Sequence, residues 1–139
     1  MGEAVVLGSL SIFDRVFLGL DEAGEPVNVV LAERNLLVGG EPGAGKSVAL
    51  NLIVAHAALS LDCQLILVDG KQVELGLWSD VAEVFVGNSM TECLDRLRDL
   101  QQVTDTRYAW LAKQRRRKIE ATDPVMKIDP PSPNSGSAF

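Results

Sequence analysis

Short apolar runs separated by turn residues make up the first half of the chain. The runs RVFLGL (15–20) and VNVVL (27–31) are typical of strands, and the intervening DEAGEP carries the Asp, Gly and Pro of a hairpin turn. The run NLLVG (35–39) is apolar without polar alternation, which indicates a buried parallel strand. The segment SVALNLIVAHAALS (47–60) is apolar on nearly every side, so we expect a helix enclosed in a core.

Two further apolar runs and one long periodic segment complete the pattern. The runs CQLILVD (63–69) and VAEVFVG (81–87) indicate strands, and strands that alternate with helices predict an α/β fold with a parallel sheet. Ser89 stands three residues before Glu92, as in a helix-capping box. Apolar residues then recur at helical spacing, so we predict one long amphipathic C-terminal helix over about 90–118.

The length and composition fit one folded domain followed by a tail. The chain has 139 residues, of which 47% are apolar. We predict a domain at 1–118 and a disordered tail at 119–139, because the tail is poor in apolar residues and rich in Pro, Ser and Gly. The sequence shows no membrane segment, since no apolar run reaches the roughly 18 residues that a span needs, and the start lacks the basic flank of a signal peptide. A cytoplasmic location is therefore expected.

Charge is distributed unevenly along the chain, whose net charge is −6. Residues 1–95 contain 4 Lys or Arg against 14 Asp or Glu, whereas residues 96–118 contain 8 basic against 2 acidic residues. This pattern argues against a protein that coats nucleic acid with its whole surface, and it favours a localised anionic partner. The run KQRRRK concentrates the positive charge in Lys113, Arg115, Arg116, Arg117 and Lys118. A solvated helix C-terminus, phosphate contacts with DNA and a subunit contact all remain open for it.

The segment GEPGAGKS (40–47) carries the strongest chemical signal. It satisfies G-x-x-x-x-G-K-[S/T] between a predicted strand and a predicted helix, which is the required context of a phosphate-binding P-loop. Its glycines let successive backbone N–H groups, those of residues 43–46, face a phosphate at the positive end of the helix. The predicted nucleotide-binding residues are Gly40, Glu41, Pro42, Gly43, Ala44, Gly45, Lys46, Ser47 and Val48.

Two of these residues have predicted catalytic roles. Lys46 would reach the β- and γ-phosphates, and the Ser47 hydroxyl would ligate Mg²⁺. ATP with Mg²⁺ is therefore the expected ligand.

The run from Val16 to Trp78 resembles the motor domain of the FtsK/SpoIIIE DNA translocases, including their actinobacterial plasmid-transfer relatives. The family has a G-x-D-x-x-G-x-P hairpin, then GKSV-x-x-N after the loop, then I-D-P-K-x-x-E-L, all in the order and spacing found here. The matching residues are Gly19, Asp21, Gly24, Pro26, Val48, Asn51, Val68, Asp69, Lys71, Glu74 and Leu75. Gly70 stands where the family usually has proline, and RYAWL (107–111) is similar to a further family element.

The resemblance implies a RecA-like P-loop ATPase that forms a hexameric ring around double-stranded DNA and pumps it in chromosome segregation or conjugal plasmid transfer. The family's Walker B strand and arginine finger come later than the long helix, and no apolar run ending in Asp-Glu follows Lys118 here. The sheet would thus be incomplete, and phosphoryl transfer depends strongly on those groups. We expect the chain by itself to bind nucleotide better than it hydrolyses it.

Asp69 has two interpretations, because LILVD is similar to a Walker B strand. In kinase-type P-loop folds such a carboxylate can serve Mg²⁺, whereas in RecA-like folds this strand is distant from the metal. In the second case Asp69 would hold the loop that contains Lys71 and Glu74.

Three functions stay open on sequence alone. The preferred one is the ATP-binding segment of a DNA translocase. The others are a truncated nucleotide-binding module that regulates a full-length partner without hydrolysis, and a small P-loop kinase. The remaining chemically notable side chains lack metal-ligand spacing or catalytic neighbours, so we expect packing roles for them. They are His56, Cys63, Trp78, Cys93, Tyr108 and Trp110.

Overall fold

A β-hairpin opens the part of the chain that the computed structural model describes, which is residues 10–120 and 122–126. Strands β1 (Arg15–Leu20) and β2 (Pro26–Val30) pair antiparallel, with a register shift between Phe17 and Gly19. The turn closes because one carboxylate oxygen of Asp21 accepts hydrogen bonds from the Ala23 and Glu25 amides at 2.8 and 2.9 Å. The predicted hairpin is confirmed.

The predicted strand at 35–39 is wrong. These residues lie in an irregular connection outside the sheets of the described residues, and Leu37 is 94% exposed. A run of apolar residues becomes a strand only where a neighbouring strand supplies hydrogen-bond partners. Within the described residues no strand pairs with this segment.

Helix α1 (Lys46–Leu59) and a small parallel sheet form the core of the same region. Strands β3 (Ile66–Val68) and β4 (Val84–Val86) pair in parallel, and each is shorter than the run that predicted it. Val54 of α1 packs with Leu67 and Leu75 in the centre of the core. The parallel pairing is as predicted, and the described residues form an α/β structure with two short sheets.

Helix α1 is only partly enclosed. Val54 and Ala57 are its buried residues, whereas Val48 is 65% exposed and Leu52 is also exposed. Our expectation of a helix enclosed on nearly every side is therefore wrong. The face that carries Val54 packs on the sheet, and the face that carries Val48 lies open.

The segment before β1 is fastened to the end of α1 by polar contacts. Asp62 accepts from the Ser11 hydroxyl at 2.5 Å and from the Ile12 amide at 2.8 Å. The His56 ring Nε2 lies 3.0 Å from the Ser11 carbonyl oxygen, which can only accept, so this nitrogen carries the proton. His56 thus anchors the segment through a hydrogen bond, where we had expected apolar packing.

The described residues divide into two compact units between Asn88 and Ser89. The second unit is built on helix α2 (Met90–Gln114), and the Ser89 hydroxyl caps it by accepting from the Glu92 amide at 3.3 Å, as predicted. The helix ends four residues before the predicted end, because Arg115 takes the left-handed conformation at φ 55°. No helix among the described residues has the length and apolar character needed to cross a membrane.

After α2 the chain turns back through a small ion-pair cluster. Arg116 contacts Glu120 at 3.1 Å and Asp123 at 2.8 Å, and a short 3₁₀ helix, Pro124–Met126, follows with Val125 buried. The disorder predicted for 119–139 stays a prediction, and residue 121 of that range lies outside the described residues. Residues 127–139 also lie outside the described residues, and a domain boundary at 118 stays a prediction.

Candidate nucleotide-binding site

The loop before α1 has the sharp turns that its glycines predict. Gly43 and Gly45 take φ angles of 81° and 82°, a left-handed region that costs other residues energy. The Ala44 amide donates to the Glu41 carbonyl at 3.1 Å and so closes a turn inside the loop. In this structure the Ala44 N–H is thus used within the loop, and its contact with a phosphate stays a prediction.

Lys46 lies across the loop. Its ammonium donates to the carbonyl oxygens of Gly40 at 2.8 Å and Glu41 at 2.6 Å. An ammonium has three N–H donors, so one remains for a ligand. A Cβ on Gly40 would lie 3.2 Å from the Ala44 Cβ and 3.6 Å from the Lys46 Cγ, so glycine lets the lysine stem pass close to the loop backbone.

The start of α1 carries no acidic or capping side chain. Gly45 occupies the N-cap position, no side chain accepts from the first amides, and the first turn contains no Asp or Glu. The first amides of a helix have no partner within the helix, and the dipole makes this end positive. Such an end binds phosphate well, and Lys46, half-buried Ser47 and exposed Val48 are placed there together.

Asp69 follows β3 and is only 7% exposed. Its carboxylate accepts hydrogen bonds from the amides of Lys71 at 3.1 Å, Glu74 at 3.0 Å and Leu75 at 2.9 Å. These bonds, the Leu75 one foremost, lower the pKa of Asp69 and keep it ionised, although burial opposes them. Both oxygens are engaged by backbone, so this geometry supports the loop-holding interpretation and leaves Mg²⁺ ligation by Asp69 without support.

One contact near the P-loop was missed by sequence reasoning. The Asn51 side chain donates to the Ser47 carbonyl at 2.7 Å and accepts from the Trp78 indole N–H at 2.6 Å. Spacing could have suggested the first bond, because residues four apart meet on a helix. Nothing in the sequence indicates the second, which joins residues 27 positions apart.

Comparison with models of protein families shows which family contains this chain. The model for the FtsK/SpoIIIE family matches residues 12–133. The chain belongs to the FtsK/SpoIIIE family. The resemblance that the sequence suggested is therefore confirmed.

Curated members of the FtsK/SpoIIIE family are similar over much of the chain. A DNA translocase FtsK from Haemophilus influenzae is 34% identical over 111 residues, which cover 76% of this chain and 21% of the relative. Another from Treponema pallidum is 36% identical over 112 residues, covering 76% and 14% respectively. One from Staphylococcus aureus is 37% identical over 75 residues, covering 51% and 10%. The chain thus spans about a fifth or less of these relatives, and no solved structure matches it.

The basic run of this FtsK/SpoIIIE family member is not one continuous helical patch. Lys113 lies in α2, Arg115 ends the helix, and both are exposed together with Arg117. Arg116 is half-buried, lies 5.5 Å from the Trp110 ring centre and pairs with Asp123. Arg116 is therefore paired within its own unit, and a contact between Arg116 and DNA stays a prediction.

The contacts around Arg116 also affect the pKa of its acidic partner, Asp123. The pKa of Asp123 is lowered first by the hydrogen bond from the Glu120 amide and then by Arg116. The Asp123 carboxylate is therefore ionised at neutral pH.

The other side chains singled out from the sequence have mixed outcomes. Cys63 and Cys93 are free and half-buried, and burial raises the pKa of the Cys63 thiol, with Asp62 adding to the effect. Trp78 packs on the core as expected, whereas Tyr108 is 67% exposed, so the core position predicted for it is wrong. Among residues 10–120 and 122–126, no three His, Cys, Asp or Glu side chains come together as a metal site.

Proposed function

We propose that this chain is the ATP-binding segment of a DNA translocase with a RecA-like domain. The observation that carries the proposal is the position of Lys46. Its ammonium is held by two loop carbonyls beside a helix start that has neither a capping side chain nor an acidic residue. Positive charge and free amides at one place favour a polyphosphate.

Each P-loop residue would have a defined task. The ammonium of Lys46 would donate its remaining N–H to the terminal phosphates, and the amides at the start of α1 would donate to the β-phosphate. The Ser47 hydroxyl would ligate Mg²⁺, which offsets phosphate charge when it is bound. The residues present fit both groups, because Gly43 and Gly45 give the loop its required turns.

Binding without turnover is a second candidate, because Asp69, the one carboxylate that the sequence offered for the metal, is bound elsewhere. The carboxylate in the Walker B-like position is committed to three loop amides, so it is not arranged to serve a metal or a water molecule. This arrangement also speaks against a small kinase. A nucleotide-binding module of this kind would regulate a full-length partner.

Double-stranded DNA is the proposed partner, supported by the similarity of the chain to DNA translocases. Exposed Lys113, Arg115 and Arg117 would contribute phosphate contacts. If three phosphates are contacted, log K should fall by roughly 2.7 per tenfold rise in salt. Assembly into a hexameric ring, a cytoplasmic location, and a role in chromosome segregation or conjugal transfer belong to the same proposal.

The decisive experiment compares Lys46→Ala with Arg15→Ala, an exposed cation of the hairpin. Loss of a charge-assisted hydrogen bond should weaken Mg-ATP binding by about 10- to 100-fold in Lys46→Ala. Arg15→Ala should bind as the unsubstituted chain does. Equilibrium dialysis with labelled ATP measures both, and equal affinities for the two variants would overturn the proposal.

Turnover separates the two candidates. Phosphate release that increases when duplex DNA is added supports the translocase segment. ATP binding with no release above background, with or without DNA, supports the regulatory module.

A further inference from the structure

The side chain of Asn51 connects the first turn of α1 with Trp78, which lies 27 positions further along the chain. Its amide nitrogen donates to the carbonyl of Ser47, and its amide oxygen accepts from the indole of Trp78. A carbonyl can only accept and an indole N–H can only donate. The amide therefore has one orientation that satisfies both neighbours, and a reversed amide would lose both bonds.

Trp78 continues this connection into the core. It ends the short 3₁₀ helix Gly76–Trp78 and packs against the cluster of Val54, Leu67 and Leu75. Leu75 also donates its amide to Asp69, whose carboxylate holds the loop at 70–75. Hydrogen bonds and close packing thus run without a gap from Ser47 to the Asp69 loop.

We propose that Asn51 is a positioning residue that fixes Ser47 for Mg²⁺ and transmits nucleotide binding to Trp78 and the loop at 70–75. The inference rests on the proposed function, because it needs ATP at the P-loop. Ser47 is the residue whose hydroxyl would ligate the metal, and the same residue's carbonyl is bound by Asn51 at 2.7 Å. A change in Ser47 on metal binding therefore reaches the indole through one side chain.

This role differs from simple packing in its dependence on metal. Asn51 contacts the backbone of Ser47 but none of the loop groups that would hold the phosphates directly. Its removal should weaken binding of Mg-ATP and leave binding of metal-free ATP unchanged. A residue that only stabilises the fold would affect both equally.

The test uses Asn51→Leu, which removes both polar groups and keeps a similar volume. Labelled ATP is dialysed against the full chain with Mg²⁺ or with EDTA. We expect affinity to fall about threefold to tenfold with Mg²⁺, the range of one hydrogen bond, and to stay unchanged in EDTA. Asn28→Leu, at an exposed asparagine of β2, is the matched control and should change neither value.

Fluorescence supplies an independent readout, because the chain has two tryptophans. In a Trp110→Phe background Trp78 is the single tryptophan, and its emission should change when Mg-ATP is added. Adding Asn51→Leu should abolish that change. If Asn51→Leu does not fold, Trp78→Phe replaces it in the dialysis and should show the same Mg²⁺-specific loss.

The outcomes separate this inference from the proposed function. Equal losses with Mg²⁺ and EDTA, or no loss, overturn the positioning role alone. A Trp78 signal that persists in Asn51→Leu also overturns it. Absence of ATP binding by the unsubstituted chain overturns the proposed function, and this inference with it.

Discussion

The two long helices begin in opposite ways. Helix α2 starts at Ser89, whose hydroxyl accepts from the Glu92 amide, and Glu92 adds a negative charge in its first turn. Helix α1 starts at a left-handed Gly45 with no capping side chain and no acidic residue. The first arrangement satisfies the helix end from within the chain, whereas the second leaves its donors and its positive end for something else.

This difference separates a structural helix end from one suited to a ligand. A helix that begins at glycine is less stable than one capped by serine by only a few tenths of a kcal/mol. A bound anion can offset that cost, and Lys46 adds a full positive charge at the same place. The start of α1 is therefore slightly less stable than the start of α2 and better suited to bind an anion.

The largest effect on this comparison should come from Gly45→Ala. The left-handed φ of 82° should cost alanine about 1–2 kcal/mol, although its Cβ would meet no atom within 4 Å. Urea unfolding followed by circular dichroism measures the loss. Gly39→Ala is the matched control, because Gly39 lacks a positive φ and also has open space around it. If both variants unfolded at the same urea concentration, backbone strain at Gly45 would be excluded.

A somewhat smaller effect should follow from Ser89→Ala. Removing the cap of α2 should lower the free energy of unfolding by about 1 kcal/mol. Ser89→Asp retains an oxygen that can accept from the Glu92 amide, so it should restore most of the stability. Thermal melts of the three proteins test this, and an alanine variant as stable as the aspartate variant would contradict the capping role.

The smallest effect is expected when the first turn of α1 receives a negative charge, which the first turn of α2 already has. Val48→Glu would place a carboxylate in the first turn of α1 at an exposed position, and should stabilise the fold by about 0.3–1 kcal/mol. The same carboxylate should repel phosphate and weaken Mg-ATP binding several-fold. Val48→Gln, without the charge, should do neither. Stability and affinity that moved in the same direction would contradict our account of this helix end.

Local signals explain what the sequence predicted correctly. The hairpin depends on Asp21 and its own turn, and α2 starts at a cap formed by two residues only three positions apart. The P-loop is likewise a contiguous motif, with Lys46 close in sequence to the carbonyls that it contacts. In each case the residues that determine the structure are neighbours along the chain.

The incorrect predictions depend on distant partners or on weak local signals. The run at 35–39 has strand composition but needs a neighbouring strand, which composition cannot supply. Arg115 ends α2 in a left-handed conformation that usually belongs to Gly or Asn, so no sequence signal marked it. The Asn51–Trp78 bond was missed because only the folded chain brings the two residues together.

The unpaired apolar run at 36–38 has a practical consequence for work in solution. Its leucines and valine are exposed, and its backbone lies outside any sheet of the described residues. Such a segment can accept a strand from another molecule, so we expect the protein to self-associate as its concentration rises. Titrations should be run on dilute samples, with light scattering recorded alongside, and a Leu37→Lys variant should tolerate higher concentrations.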